Sequence, residues 1–380
     1  MNIDRRKILE TAGLTLVLIA LCWGLFSSWM LYSRAGLSDP GGYPEMARAS
    51  HYFYDSGIRE PVPIFLTKAM LAFGAGDDRS VRLATALVFA TAVMSTIFLV
   101  GGIYGRAAGL AAALIFALNP YAGYYAVQGV SNLTSGLFLL LFWFLLAKGG
   151  EFRLRAVFVG LAGALCMLTR LENILVVLAA LGLFAALDAS KRRLKFCAAA
   201  AAISLLFTLP YLLYQYRAFG NPVYSHAMAA RFWQNTERNG PHSEDRYSGG
   251  PMSVSAFIFR KGPARASADL LKAYGKSFFH YIPRLLYYKL LLLPLLLAGL
   301  FFLFRKKDHF TLLLLPALIL PITFISAINQ VSAGSGIELR FYLNALWLLC
   351  VYCGEGIAGA ATLLRPWRRG DTMRHGVPNA

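Results

Sequence analysis

Charge is what this sequence has least of. Asp, Glu, Lys and Arg make up only 15% of the 380 residues, whereas roughly a quarter is usual in soluble domains. With 57% hydrophobic residues and a mean hydropathy of +0.54, a water-soluble globular protein is excluded and the bilayer becomes the main solvent. Acid is scarcer than base, 19 residues against 37, which leaves a net charge of +18. Such a charge can mark a nucleic-acid binder, but here the basic residues fall between apolar runs and form no single patch, so no nucleic-acid partner is expected. Cysteine numbers five, and Cys350-x-x-Cys353 stands inside an apolar run with no second pair. A closed zinc site or a disulfide framework is therefore not expected, and no cofactor follows from the sequence; a divalent metal is left open. The first apolar stretch, 12–32, is long enough to span and lacks a small-residue cleavage site after it, so it stays as a helix rather than a removable signal.

Ten apolar runs long enough to cross lie near 10–33, 80–104, 107–124, 131–148, 153–169, 171–188, 194–216, 282–304, 309–328 and 341–364. Basic residues occupy every second connection: Arg5 to Lys7, Arg106, Lys148 with Arg153 and Arg155, Lys191 to Lys195, Arg305 to Lys307, and Arg365 to Arg369. By the positive-inside rule both termini are cytoplasmic in an integral inner-membrane protein. The remaining segments, chiefly 34–79 and 217–281, then face outward, and most of the acid lies there, including Asp39, Asp55, Glu60, Glu172 and Glu338. Acid contributes little to orientation, so this bias points to polar chemistry on the outer face. Residues 1–380 read as one all-α polytopic domain with no separate soluble domain. A transporter or flippase of lipid-linked sugars would place ionisable groups near the midplane and often shows repeats; the run centres carry almost none and no repeat is evident.

The first outer segment has structure of its own. Pro44 suits the first turn of a helix running to about Ser56, with Tyr43, Met46, Ala47 and Tyr54 as its apolar side. The stretch 61–74 is apolar yet too short to span, as expected of a helix lying in the interface. Between them and the first span, Asp39 sits in a Pro-Gly-Gly turn, where Gly41 and Gly42 allow close approach of a substrate. A carboxylate there can accept a proton from a hydroxyl, or it can cap the next helix. Arg340 and Arg170, at helix ends, offer planar forks for phosphate oxygens or simply snorkel to the interface; Glu172 and Glu338 stand near enough in sequence to pair with them. His51 can orient a substrate, although a solvated or capping role is the more ordinary one.

"SDPGGYPEMA", "GIREPVPIFLTKAMLAFGAGDDRSVRLATALVF", "YGRAAGLAAALIFALNPYAGYY", "MLTRLENILVV", "FGNPVY" and "IELRFYLNALWLL" follow one another in an order that resembles the GT-C membrane glycosyltransferases. The set is similar to bacterial relatives of the protein O-mannosyltransferases and of the aminoarabinose transferase acting on lipid A. The resemblance implies a GT-C fold of about ten transmembrane helices, a polyprenyl-phosphate sugar donor, and a glycan, lipid or protein acceptor on the outer face. It also implies that the acid of the first outer loop, Asp39, is the base of an inverting displacement. Arg340, Arg170, Glu60, Tyr43, His51, Asn132 and Tyr342 become the expected substrate-binding residues. One departure stands out: relatives often carry an acid where this chain has Asn132, which weakens a two-carboxylate metal site and keeps alive an inactive GT-C-like scaffold as the alternative.

Overall fold

The computed structural model describes residues 5–37, 42–148, 152–224, 232, 253–329 and 339–364. Among these residues every regular element is a helix. In chain order they are α1 (Arg5–Tyr32), α2 (Tyr43–Ala49), α3 (Pro61–Ala72), α4 (Asp77–Tyr104), α5 (Arg106–Ala117), α6 (Pro120–Ala126), α7 (Ser131–Ala147), α8 (Phe152–Thr169), α9 (Asn173–Ala186) and α10 (Lys191–Phe219). After a gap in the description come α11 (Val254–Lys261), α12 (Pro263–Lys276), a π turn (Ser277–Tyr281), α13 (Ile282–Leu285), α14 (Lys289–Arg305), α15 (His309–Asn329), a 3₁₀ turn (Leu339–Tyr342) and α16 (Leu343–Leu364).

Four helical segments are long and apolar enough to cross a bilayer: Lys7–Tyr32, Asp77–Tyr104, Lys191–Phe219 and Leu339–Leu363. Two bent pairs raise the number to six if each is a single crossing: α5 with α6, bent by 64°, and Pro263–Leu285 with α14, bent by 117°. The sequence reading has ten. The difference lies partly in α7, α8 and α9, which at 17, 18 and 14 residues fall short of the ~20 that span hydrocarbon. Proline accounts for one bend: α6 opens on Pro120, with the Asn119 side chain capping its first turn by accepting from Ala122 N–H at 3.1 Å.

The core gathers around α16. From Ala345 to Cys353 its residues are completely or almost completely buried, between α5, α7 and α14. Lipid is as apolar as leucine, so burial alone does not drive such packing; close approach of small residues does. A Cβ at Gly299 of α14 would stand 1.8 Å from the Tyr352 carbonyl oxygen, and one at Gly356 of α16 would stand 2.1 Å from that of Leu295. Only glycine admits that contact. At the basic end of the bundle, Tyr104 bonds the Asp308 carboxylate, Trp143 Nε1 donates to Thr311 Oγ1 at 3.0 Å, and Lys306 reaches buried Glu355 at 2.5 Å. Glu355 is an ionisable residue inside the last apolar run that sequence reasoning passed over.

Candidate active site

The opposite end carries α2 and α3, and its geometry begins with two prolines and a glycine. Gly42 takes φ 69°, in the left-handed region, and turns the chain into α2, whose first turn holds Pro44. α2 stops at Ala49, well before the Ser56 expected from sequence. There Ser50 Oγ donates to the Met46 carbonyl, and the Asp55 carboxylate accepts the backbone N–H groups of His51 and Tyr52. That local bonding closes a turn in competition with the helix. Asp55 is thus engaged by backbone. Tyr54, expected on the helix's apolar side, instead donates its hydroxyl to the Phe207 carbonyl at 3.0 Å.

Pro61 opens α3, and the residue before a proline avoids helical backbone; Glu60 accordingly is extended, with φ −64° and ψ 147°. Its carboxylate does not cap its own helix. It crosses to the tight connection between α8 and α9, where Oε1 accepts the Leu171 N–H at 3.1 Å. Arg170, in the same connection, donates from Nε to Glu172 at 2.5 Å and from Nη1 to Ser131 Oγ at 2.9 Å and Asn132 Oδ1 at 3.3 Å. The Arg170 guanidinium thereby ties the start of α7 to the α8–α9 connection, and Glu60 ties the start of α3 to the same connection. The 3₁₀ turn joins them: the Arg170 guanidinium lies 5.8 Å from the Phe341 ring centre and that of Arg340 lies 5.2 Å from it. Arg59 stands 5.4 Å over the ring of Tyr43, which is buried.

Electrostatics follow from this burial. Desolvation pushes the Glu60 carboxyl above the ordinary range, opposed by Arg170 and reinforced by Glu172. For Arg170, burial works against the charge, but the carboxylates of Glu172 and Glu60 outweigh it and hold the guanidinium protonated. Two donors are left over. Arg170 Nη2 has no hydrogen bond among the described residues, and Asn132 Nδ2 is buried without a partner among them. A buried, unpaired amide donor calls for an acceptor, and Asn132 Nδ2 with the unbonded Nη2 of the Arg170 guanidinium beside it suits the oxygens of an anion or a sugar.

Of the residues expected from sequence, Glu60, Tyr43, Asn132, Arg170 and Arg340 come together here, and Glu172 pairs with Arg170 as its position suggested. His51 and Tyr342 do not join them. His51 is exposed, with its ring Nδ1 2.7 Å from the Ala49 carbonyl. Tyr342 is fully buried, its hydroxyl 2.8 Å from Ser277 Oγ and its ring stacked on Tyr281 at 5.0 Å. Asp39 and Glu338 lie outside the described residues. Among the described residues no group of three His, Cys, Asp or Glu side chains stands together.

Sequence reasoning missed Arg82, which is 2% exposed near the start of α4. Its Nη1 donates to the Val127 carbonyl at 2.6 Å and to that of Tyr32 at 3.3 Å, while Nη2 bonds that of Ala35. It thereby fixes the exit of α1 just before the segment that carries Asp39. The available signal was a lone arginine facing into an otherwise apolar run.

Residues 59–214, about two fifths of the chain, match the family described as dolichyl-phosphate-mannose-protein mannosyltransferase. The matched span contains Arg59, Glu60, Arg82, Asn132, Arg170 and Glu172. No curated protein matches the chain.

Proposed function

Since residues 59–214 are similar to the dolichyl-phosphate-mannose-protein mannosyltransferases, we propose that this multi-pass membrane protein is a polyprenyl-phosphate-sugar-dependent glycosyltransferase. In this reading it crosses the bilayer ten times, the shorter helices included, with both termini cytoplasmic and its active site on the outer face of the inner membrane. The donor is a hexose or pentose, mannose being the member that the family's description names, on a polyprenyl phosphate. The acceptor is a hydroxyl on a protein, lipid or glycan. One observation carries the reading: inside the matched span, Arg170 Nη2 and Asn132 Nδ2 meet at one junction as donors without acceptors, next to the turn that holds Arg340.

A sugar on a lipid phosphate already has a good leaving group, so the protein must hold the phosphate, remove one proton and exclude water. The acceptor oxygen forms a bond to the anomeric carbon as the bond from that carbon to the phosphate oxygen breaks. Asp39 takes the hydroxyl proton, the polyprenyl phosphate leaves with the electron pair, and configuration inverts. Arg170 and Arg340 receive the charge that develops on the phosphate, and Glu60 with Glu172 keeps Arg170 aimed. Asn132, where relatives often carry an acid, offers an amide to a sugar or phosphate oxygen. No step requires a metal here, though a divalent ion is compatible with an anionic donor.

The test is transfer itself. Membranes containing the full chain, given polyprenyl-phosphate mannose and the analogous pentosyl donor, should release free polyprenyl phosphate and glycosylate an acceptor. Arg340→Lys keeps the charge but loses the two-pronged fork, so it should weaken use of the donor more than it lowers the yield of folded protein. Equal losses would make Arg340 structural. No transfer with either donor would favour the inactive scaffold.

A further inference from the structure

The basic end of the bundle holds a feature that sugar transfer does not use. α1 leans on α5, where a Cβ at Gly13 would lie 3.0 Å from the Leu110 side chain. α4 is drawn onto another side of α5 by glycine, since a Cβ at Gly109 would stand 2.4 Å from the Ile97 carbonyl oxygen. α5 therefore grips both neighbours, while α1 and α4 barely touch each other. The gap between them is a cavity of about 570 Å³. Thr11, Leu14, Ile97, Phe98, Gly102 and Leu110 form its walls, and Lys7, Glu10 and Arg106 line the end nearest the helix termini.

Apart from Lys7, Glu10, Thr11 and Arg106 its lining carries no polar side chain, so away from that end there is little to hold water by hydrogen bonds. It opens sideways, because of its lining residues Phe98 is 69% exposed and Leu14, on α1, is 37% exposed. Within a bilayer the available occupant is hydrocarbon. Its head group is selected by the charges at the terminus. Lys7 is exposed, and Arg106 pairs with Glu10 through Nη1 while most of its side chain remains open. That pairing steadies a guanidinium that still has donors to give, and an arginine fork beside a lysine suits phosphate oxygens. Glu10 leaves the set with a net charge of one positive, matching a lipid with a single negative charge.

We propose that the cavity between α1, α4 and α5 binds one anionic glycerophospholipid, with an acyl chain against Leu14, Ile97 and Phe98 and its phosphate between Lys7 and Arg106. The inference rests on α1 and α4 lying in a membrane, and not on glycosyl transfer, so its failure and that of the proposed activity are separable. Native mass spectrometry of the purified full chain tests it, with phosphatidylglycerol, phosphatidylcholine of the same acyl chains, and polyprenyl phosphate added in turn. One phosphatidylglycerol should be retained about tenfold more strongly than phosphatidylcholine, the order that one charge-assisted hydrogen bond supplies. Lys7→Gln combined with Arg106→Gln should reduce it to the phosphatidylcholine level. Leu14→Trp enlarges a side chain that lines the cavity and should lower retention of both lipids. Equal retention of the two lipids by the wild-type protein overturns the proposal, a result that needs no variant. So does unchanged retention in the charge variant, or displacement of phosphatidylglycerol by polyprenyl phosphate, which would assign the cavity to the carrier.

Discussion

Arg170 keeps its charge although burial opposes it, because Glu172 and Glu60 stand beside it; the Glu60 carboxyl is raised by its own desolvation, which Arg170 only partly offsets. A carboxyl with a higher pKa in the folded state binds its proton more tightly there than in the unfolded chain. Stability is then greatest below the ordinary glutamate value and declines as pH rises from that value through the raised one. Thermal unfolding of the detergent-purified protein should show this fall. Glu60→Gln, which keeps an oxygen to accept the Leu171 N–H, should flatten it; an unchanged slope would place the titration elsewhere. Residues such as Arg170, Glu60 and Asn132 were legible from sequence because polar groups at the ends of apolar runs are few. The role of Arg82 was not, although a lone arginine in an apolar run marks it, because its partners are backbone carbonyls from α1, the segment after it and the end of α6. Arg59 was overlooked for a similar reason: its contact is the ring of Tyr43, from the preceding helix.

Most apolar runs were legible as helices, since a long apolar run in a membrane has few other solutions. Val254–Lys261 and Pro263–Lys276, in a polar outer segment, were not, nor was the break that splits 107–124 at Asn119. Helix ends were less legible. α2 was read as reaching Ser56, yet its apolar spacing loses to the turn that Ser50 and Asp55 close with backbone groups. Packing between helices was not legible either, since a glycine in an apolar run looks the same whether or not another backbone approaches it. Gly299 and Gly182 make the contrast measurable. Gly299→Val drives its side chain into the Tyr352 carbonyl and should destabilise the bundle by about 1–3 kcal/mol or more, as overpacking does. Gly182→Ala meets nothing within 4 Å and should gain about 0.5–1 kcal/mol, because alanine loses less backbone freedom in a helix. Thermal midpoints of the two variants in one detergent decide it, and similar shifts would mean that α14 and α16 are not held by close contact.

At the scale of the whole molecule, the alternation of basic clusters predicts orientation. A reporter fused after Arg369 should read cytoplasmic and one inserted near Gly240 extracytoplasmic, and a reversed reading at either place would put the Arg170 junction on the wrong side for an outward-facing donor. Six of the ten expected crossings are supported by length and composition at most, so this mapping also bears on the short helices. The claim that joins topology, site and family likeness is that Asp39 removes the proton of the acceptor. A positioned base contributes ~10²–10⁴-fold in rate, and asparagine keeps the size and capping ability of aspartate without its basicity. Sugar transfer from polyprenyl-phosphate mannose should therefore be measured for wild type and Asp39→Asn in membranes with matched amounts of folded, donor-bound protein. The account predicts that turnover falls by ~10²–10⁴-fold with donor binding retained; wild-type turnover in Asp39→Asn would contradict it and leave the carboxylate as a cap.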